Sequence, residues 1–314
     1  RYAFVDPRTA GLFRLVLGLL LVLDLIRHAS YYDTYYTITG VFPSDKHLWQ
    51  PTSGHLFSLF HAFSTRGEVL VMFGLGLFAH LGLLLGYRSR LFAFLSFLFV
   101  TSRDSRIPLI ENGGYVVVNL LCLYASLLPI GQRFSVDAWL RSWRARRERS
   151  VEELSDREPI RAPTARVRTL VGLLVVFNVA FIYFFNVVNK TGHIWRAGDT
   201  VHYVLHIDRM VTGVAVLARE ILPEPLMKAA DFGTLSLEAF LFVAILWPSA
   251  RYYTRALAVV GMISLHATFG VMMRLGPFSW FMCAWSLLLL LPVHWDELGA
   301  RHRGEPVRLR LQEG

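Results

Sequence analysis

Long apolar segments separated by short polar segments dominate the hydrophobicity pattern of this chain. A helix needs about 20 apolar residues to cross a bilayer, and the pattern predicts eight such segments. They comprise residues 10–26, 70–87, 90–101, 115–128, 169–188, 232–247, 257–271 and 278–291. The third has the shortest uninterrupted apolar core. The sequence therefore predicts an all-α integral membrane protein with about eight transmembrane helices in a bundle.

The positions of the arginines orient these predicted spans. Basic residues near membrane-spanning helices favour the cytoplasmic side, and the arginines of this chain concentrate in alternate connecting segments. These clusters lie within residues 1–8, 88–90, 133–168, 251–255 and 301–310. The pattern predicts a multi-pass protein with both termini in the cytoplasm. The segment that begins with Lys190 then lies on the outer side.

Two polar segments on the predicted outer side show the spacing of amphipathic helices. Residues 53–63 place their apolar side chains at helical intervals and are expected to lie in the membrane interface. Residues 208–222 are expected to form a second helix, either interfacial or re-entrant, which Asp208 would cap and Pro223 and Pro225 would end. Together the two helices could cover a cavity on the outer side.

Composition and charge agree with a membrane protein. Hydrophobic residues make up 54% of the sequence, and the mean hydropathy of +0.44 does not suit a soluble domain. The net charge of +9 lies mostly in the predicted cytoplasmic segments. There it sets the topology and contacts anionic lipid headgroups, so the charge needs no nucleic-acid partner to explain it. Nucleic-acid binding by residues 141–168 is an alternative, disfavoured because that segment has no interleaved aromatic residues and no recognisable fold. Cys122 and Cys283 both lie in predicted spans, which favours two small core residues over a disulfide.

The sequence predicts a single transmembrane domain over residues 1–314, without an internal repeat. Residues 141–168 are rich in arginine and contain two prolines, which is typical of an exposed cytoplasmic connector. Residues 293–314 form a short, charged cytoplasmic tail that is too small for a separate domain. The connector would join two four-span halves.

Titratable side chains concentrate in the segment that follows the fifth predicted span. The segment contains Lys190, His193, Trp195, Arg196, Asp199, His202, His206, Asp208 and Arg209. A lysine at the end of an apolar helix is a candidate base, because partial desolvation disfavours its charged form. The alternative is an ordinary solvated loop, in which Lys190, Arg196 and Arg209 pair with Asp199 and Asp208.

Four further ionisable residues lie inside predicted spans, where such residues are functional candidates. Asp24 is expected to pair with Arg27 or His28. His80 is either a hydrogen-bonded histidine of the bundle interior or a site residue. Glu238 is either a site residue or one end of an interhelical hydrogen bond. His266 lies deepest and is the hardest to explain structurally.

The histidines after the fifth span raise the question of a metal site. His202 and His206 are four residues apart and would share a helix face, with His193 nearby in sequence. However, the segment contains no HExxH motif and no cysteine. The pattern favours polar lining of a pocket, and no metal is expected.

Four short patches of the sequence form a pattern when they are taken together. They are Asn112 with Tyr115, Ser135-Val136-Asp137, Lys190 with Trp195 and Gly198, and His266 with Gly276 and Phe278-Ser279. From about residue 100 to residue 290, their order resembles the vitamin K-dependent gamma-glutamyl carboxylase family and its bacterial relatives, the HTTM (horizontally transferred transmembrane) domain proteins. Lys190, Trp195 and Gly198 have the spacing found around that family's catalytic lysine.

The resemblance implies a reaction and a set of site residues. A neutral Lys190 would deprotonate a reduced naphthoquinone of the vitamin K or menaquinol type. Oxygen would then add, the quinone would leave as an epoxide, and carbon dioxide would be added to a glutamate of a peptide or protein. The quinone pocket implied by the resemblance and by the polar positions includes Asn112, Trp195, Gly198, His202, Arg209, Glu238 and His266. The implied location is the bacterial inner membrane.

Two departures from the family leave alternatives open. The carboxylases carry a histidine directly after the asparagine that aligns with Asn112, and this chain has Gly113 there. The carboxylases also continue into a large extramembrane domain, so this chain would need a separate partner chain for substrate recognition. One alternative is a non-carboxylating quinone- or lipid-binding protein that assists peptide maturation or envelope processes. A transporter is a further alternative, disfavoured because no inverted repeat is visible.

Overall fold

The fold is almost entirely helical in the computed structural model, which describes residues 4–41, 43, 58–107, 112–148 and 167–303. Two strands of two residues each are present, β1 (Phe4–Val5) and β2 (Val167–Arg168). The first helices are α1 (Pro7–Ala29), α2 (Tyr32–Tyr36), a short 3-10 helix (Leu59–His61), α3 (Arg66–Leu85), α4 (Ser89–Arg106), α5 (Gly113–Leu127) and α6 (Val136–Glu148). They are followed by α7 (Leu170–Asn189), α8 (His193–Ala197), α9 (Thr200–Leu205), α10 (Gly213–Ile221), α11 (Glu224–Leu246), α12 (Arg251–Met272), α13 (Phe278–Leu287) and α14 (Pro292–His302).

Five of the described helices are long and apolar enough to cross a membrane. They are α1, α3, α7, α11 and α12. The pair α13–α14 is bent by 80° and would add a sixth span if its two helices cross together. These apolar helices indicate a multi-pass, all-α membrane protein, so the coarse prediction is confirmed.

The predicted count of eight spans is wrong for the part of the chain that the structure describes. Each of the eight apolar segments contains helix, but three do not form a single long apolar helix. Helix α4 ends in the charged residues Arg103, Asp104 and Arg106, and α5 has only 15 residues. The last segment breaks after Leu287, because α14 restarts at Pro292 in a different direction.

The chain divides into two compact units, one formed by Ala10–Val167 and the other by Arg1–Thr9 with Arg168–Gly314. In the first unit, buried aromatic rings pack against one another, with Tyr36 5.2 Å from Phe73 and Phe60 5.9 Å from Phe99 between ring centroids. In the second unit, α7 packs on α11, and α12 packs on both α11 and α13. Each unit therefore has a core of its own.

The motif Ser135-Val136-Asp137 builds a junction between helices in the first unit. The Ser135 hydroxyl accepts a hydrogen bond from the Ala138 N–H (3.0 Å) and so caps α6. The Asp137 carboxylate accepts the N–H groups of Arg88 (2.8 Å) and Ser89 (2.9 Å) at the start of α4. One short motif thus begins one helix and caps another.

Arg14 closes the other side of this junction. Its buried guanidinium donates to the carbonyl oxygens of Leu83 (2.7 Å), Leu84 and Phe134. Because the last carbonyls of a helix have no partner within it, a cation at this position stabilises the end of α3. Two charged side chains, Arg14 of α1 and Asp137 of α6, therefore hold the turn between α3 and α4.

The two predicted interfacial helices are only partly recovered. Residues 53–57 lie outside the described residues, and the rest of segment 53–63 contains the 3-10 helix. In the second segment α10 begins at Gly213 and is capped by Thr212, whose hydroxyl accepts from the Ala215 N–H. Asp208 is not the cap, because it lies five residues before the start of α10 and pairs with Arg219 instead, while Val211 forms an antiparallel bridge with Met273.

The charged connector and the tail are described in part. Residues 141–148 belong to α6, whereas residues 149–166 lie outside the described part of the chain. Residues 293–303 belong to α14 and its cap, and residues 304–314 are likewise outside. At its start, α14 is tied to residues 8 and 9, since Arg8 pairs with Asp296 (2.8 Å) and Trp295 donates to the Thr9 hydroxyl (2.8 Å).

Candidate functional site

Lys190 forms an ion pair with Glu238 at the end of α7. Its ammonium nitrogen lies 2.5 Å from the Glu238 Oε2 atom. The Glu238 side chain is 3% exposed and the Lys190 side chain is 20% exposed. The amide of Asn186 lies 3.5 Å from the other Glu238 oxygen. A nearly buried carboxylate therefore joins two side chains of α7 across the interface with α11.

Trp195 covers the same ammonium group. The Lys190 nitrogen lies 4.6 Å from the centroid of the Trp195 ring, a cation–π distance. Helix α7 ends at Asn189, and the short helix α8 then brings Trp195 back over the lysine. The lysine is thus held between a carboxylate and an aromatic face while part of it stays accessible.

Gly198 ends α8 in a conformation that favours glycine. Its φ of +75° is left-handed, and its N–H donates to the Ile194 and Trp195 carbonyl oxygens. A Cβ added here would lie 2.9 Å from the Phe232 ring. The spacing of Lys190, Trp195 and Gly198 therefore has a structural reason. Lys190 lies at the end of α7, Trp195 packs over its ammonium group, and Gly198 ends α8.

His266 lies deeper in the same unit, on α12. Its Nε2 atom is 2.9 Å from the Tyr183 hydroxyl, and the ring packs edge-on against Phe278 at 5.3 Å. The His266 Nδ1 atom is buried without a hydrogen-bond partner among the described residues. Because Tyr183, Asn186 and Lys190 recur at helical spacing, one face of α7 carries polar groups over two turns, about 10 Å.

Three other predicted pocket residues lie elsewhere along the chain: His202 and Arg209 follow α8, and Asn112 precedes α5. His202 and Arg209 are exposed, and within the described part of the chain neither hydrogen-bonds to Lys190. His202 stacks near His206, with ring centroids 4.4 Å apart. Asn112 belongs to the first unit, where its side chain accepts from the Gly114 N–H (2.8 Å) and caps α5.

The predicted loop pairs are replaced by other ion pairs. Asp208 lies 2.7 Å from Arg219, and Asp199 lies 3.7 Å from Lys228. The partner of Lys190 is Glu238, on another helix, so the lysine is not simply part of a solvated loop network.

A pocket of about 440 Å³ lies beside the loop that follows α8. It is lined by Asp199, His202, Tyr203, His206, Arg219, Leu222, Glu224 and Met227. Charge pairing raises the pKa of Arg219, mainly through its hydrogen bond to Asp208. Among the described residues, no group of three or more His, Cys, Asp or Glu side chains is arranged to hold a metal ion. His202 therefore lines a polar pocket of mixed charge.

Asp231 of α11 accepts a hydrogen bond from the backbone of α9, a role that was not predicted from the sequence. Both of its carboxylate oxygens accept the Val201 N–H, at 3.1 and 3.2 Å. Tyr183 and Asn186 were not predicted either. They precede Lys190 by seven and four residues, and this helical spacing could have indicated that the three side chains share one face of α7.

A second buried charge network lies in the first unit. Arg103 is fully buried between Asp24 (2.7 Å) and Asp104 (2.8 Å). Asp24 also pairs with Arg27 at 2.7 Å and lies 3.7 Å from His28, which confirms the local pairing predicted for it. His28 continues the network to the Tyr36 hydroxyl at 2.7 Å, and burial raises the pKa of that tyrosine.

His80 belongs to the interior of the first unit. Its Nδ1 atom lies 2.9 Å from the Ser96 hydroxyl, and the side chain is fully buried. This contact matches the interpretation of His80 as a hydrogen-bonded histidine of the bundle interior. Cys122 and Cys283 are free thiols, the first buried and the second partly so.

No family model, no curated protein and no solved structure matches this chain. The geometry of the Lys190 site is therefore the basis for a functional proposal.

Proposed function

We propose that this protein is a membrane enzyme of the vitamin K-dependent carboxylase type, in which Lys190 deprotonates a reduced naphthoquinone. The observation that carries the proposal is the placement of the Lys190 ammonium between Glu238 (2.5 Å) and the Trp195 ring (4.6 Å). The proposed site faces the outer side of a bacterial inner membrane. Bound there, a quinol would supply, with oxygen, a base strong enough to remove a glutamate γ proton.

Glu238 lies where its carboxylate could accept a proton from Lys190. Lys190 can act as a base only when neutral, whereas a carboxylate partner stabilises the ammonium form. The Glu238 Oε2 atom lies 2.5 Å from the Lys190 nitrogen, which is within reach of a direct proton transfer. Proton transfer from Lys190 to Glu238 would therefore create the base inside the site.

Aromatic side chains offer a surface for a flat apolar ring near this position. Trp195 covers the lysine, and α7 carries a group of phenylalanines close to its end. Phe184 lies 5.1 Å from Phe242 and 5.2 Å from Phe185, and Phe185 is 55% exposed. Exposed aromatics on a membrane-spanning helix would face lipid, from which a quinone with an apolar tail would enter.

His266 and Tyr183 extend the polar face below the lysine. Since the His266 Nδ1 atom is buried and unpartnered among the described residues, it is available to a ligand oxygen or to a proton. Asn186 holds the far oxygen of Glu238 and so orients that carboxylate. These groups would position the proton donor and acceptor rather than take part in covalent chemistry.

A second candidate is a quinone- or lipid-binding protein that does not carboxylate. Gly113 favours it, because the position that holds a histidine in the carboxylases has no side chain here. Such a protein would assist peptide maturation or envelope processes, with a partner chain in contact with the substrate.

One assay separates the two candidates. The purified full chain in lipid nanodiscs is given reduced menaquinone and oxygen, with or without labelled carbon dioxide and a Glu-containing peptide. Epoxide together with labelled peptide supports the carboxylase. Epoxide without label supports the quinol chemistry and argues against peptide carboxylation. Saturable quinone binding without epoxide supports the second candidate and contradicts the first.

A further inference from the structure

Helix α6 exposes large apolar side chains on one face, which no described part of the protein covers. Trp139 and Trp143 lie one helical turn apart on the same face, and they are 62% and 48% exposed. Large apolar side chains usually mark a contact surface when they are exposed together. Phe134, just before the helix, is also 53% exposed. We call the helix face that carries Trp139 and Trp143 the α6 aromatic face.

Arginines surround the α6 aromatic face. At helical spacing, Arg146 and Arg147 flank it on opposite sides, and Arg144 lies further round the helix. The Arg147 guanidinium lies 5.7 Å from the Trp143 ring centroid. All three arginine side chains are exposed, as is Arg141. A helix with tryptophan on one face and arginine along its borders is typical of one that lies in a membrane interface.

The start of α6 is held at the end of a candidate membrane span. The Asp137 N–H donates to the Gly86 carbonyl oxygen (3.0 Å), directly after α3. The Asp137 carboxylate caps α4, as described above. Tyr87 and Arg88 lie in the same turn, with the Arg88 guanidinium 5.9 Å from the Tyr87 ring. Because α3 is long and apolar enough to cross a bilayer, this turn marks a membrane boundary.

We propose that α6 is a docking surface for anionic phospholipid headgroups, with Trp139 and Trp143 in the interface and Arg146 and Arg147 on lipid phosphates. Charge complementarity selects this occupant over a zwitterionic surface, because several exposed arginines meet one negatively charged leaflet. Tryptophan is favoured at the level of the headgroups, which places the arginines beside the phosphates. The proposal depends on the membrane assignment and not on the role of Lys190.

The test is hydrogen exchange of the α6 amides in the full chain, reconstituted in nanodiscs. One set contains phosphatidylcholine alone and the other contains phosphatidylcholine with phosphatidylglycerol. We expect slower exchange over residues 136–148 with phosphatidylglycerol. The double variant Arg146→Gln with Arg147→Gln should reduce that protection roughly 30-fold, since each basic residue near an anionic surface strengthens binding about fivefold. In phosphatidylcholine alone, this variant should exchange like the wild type, which shows that its helix is intact.

A matched control removes two exposed arginines elsewhere, Arg66→Gln with Arg274→Gln, and should leave α6 protection unchanged. The variant Trp139→Ser with Trp143→Ser should lose protection in both lipids. Equal wild-type exchange in the two lipids would overturn the proposal. Stronger protection by a short DNA duplex than by phosphatidylglycerol would also overturn it, because the surface would then suit a nucleic acid.

Discussion

The Lys190 ammonium lies 2.5 Å from the Glu238 carboxylate, across the interface between α7 and α11. The two residues are 48 positions apart in sequence. Their contact links the end of α7 to the buried side of α11. The proposed base therefore depends on a carboxylate that lies in another helix.

The variant Glu238→Gln should reduce the quinol reaction while leaving Lys190 in place. The amide has the size of the carboxylate but cannot take up the lysine proton. General acid–base groups contribute about 10² to 10⁴ in rate, and we expect a loss near the lower end of that range. Quinol epoxidation by the purified variant measures the effect. Activity equal to the wild type would show that the proton leaves Lys190 by another route.

Gly198→Ala should destabilise the Lys190 site through the backbone. A left-handed φ costs a non-glycine residue roughly 1–2 kcal/mol, and the new Cβ would lie 2.9 Å from Phe232. We expect a lower thermal midpoint and weaker quinone binding.

Gly192→Ala is the matched control for Gly198→Ala. Gly192 has a φ of −61°, and an added Cβ would meet no atom within 4 Å. This control should unfold like the wild type. If both variants unfold at the wild-type temperature, the left-handed stop at Gly198 does not hold the site together.

Much of the helical architecture is visible in the sequence, but the number of spans is not. Every predicted apolar segment contains helix, because apolar length alone is a strong signal. Helix α4 was counted as a span on a short apolar core, residues 90–101, but the helix continues into Arg103 and Asp104, which pair with side chains of α1 and α5. Contacts between residues so far apart in sequence produce no hydrophobic periodicity that a single sequence could show.

The candidate site divides in the same way. The Lys190, Trp195 and Gly198 spacing is local, and the structure explains it by one short helix and its stop. Glu238 and His266 were selected as ionisable residues within apolar segments, yet their partners, Lys190 and Tyr183, come from another helix. Local geometry is therefore readable in advance, whereas the interhelical contacts require the fold.

Arg103→Met should destabilise the first unit severely. It would leave Asp24 and Asp104 without their shared cation in a buried site, and removing one partner of a buried pair costs about 3–5 kcal/mol. Denaturant unfolding in detergent measures the loss. The exposed pair of Arg66 with Asp33 provides the control, since Arg66→Met should change stability little. Similar stability of the two variants would contradict a structural role for the buried network.

Gly113→His should be tolerated by the fold. A Cβ at position 113 would meet no atom within 4 Å, and the residue starts α5 directly after the Asn112 cap. We expect an unchanged thermal midpoint. If the missing histidine limits carboxylation, labelled carbon dioxide should enter a Glu peptide faster with this variant than with the wild type. A marked loss of stability would show that the glycine is needed for packing.

The most direct measurement of the central claim is quinol epoxidation by Lys190→Ala beside Lys228→Ala. Lys228 is a suitable control because it lies in the same unit and also pairs with a carboxylate, Glu224 at 2.8 Å. We expect Lys190→Ala to lose about 10² to 10⁴ of the rate and Lys228→Ala to retain it. Equal epoxidation by Lys190→Ala and the wild type would contradict the assignment of Lys190 as the base.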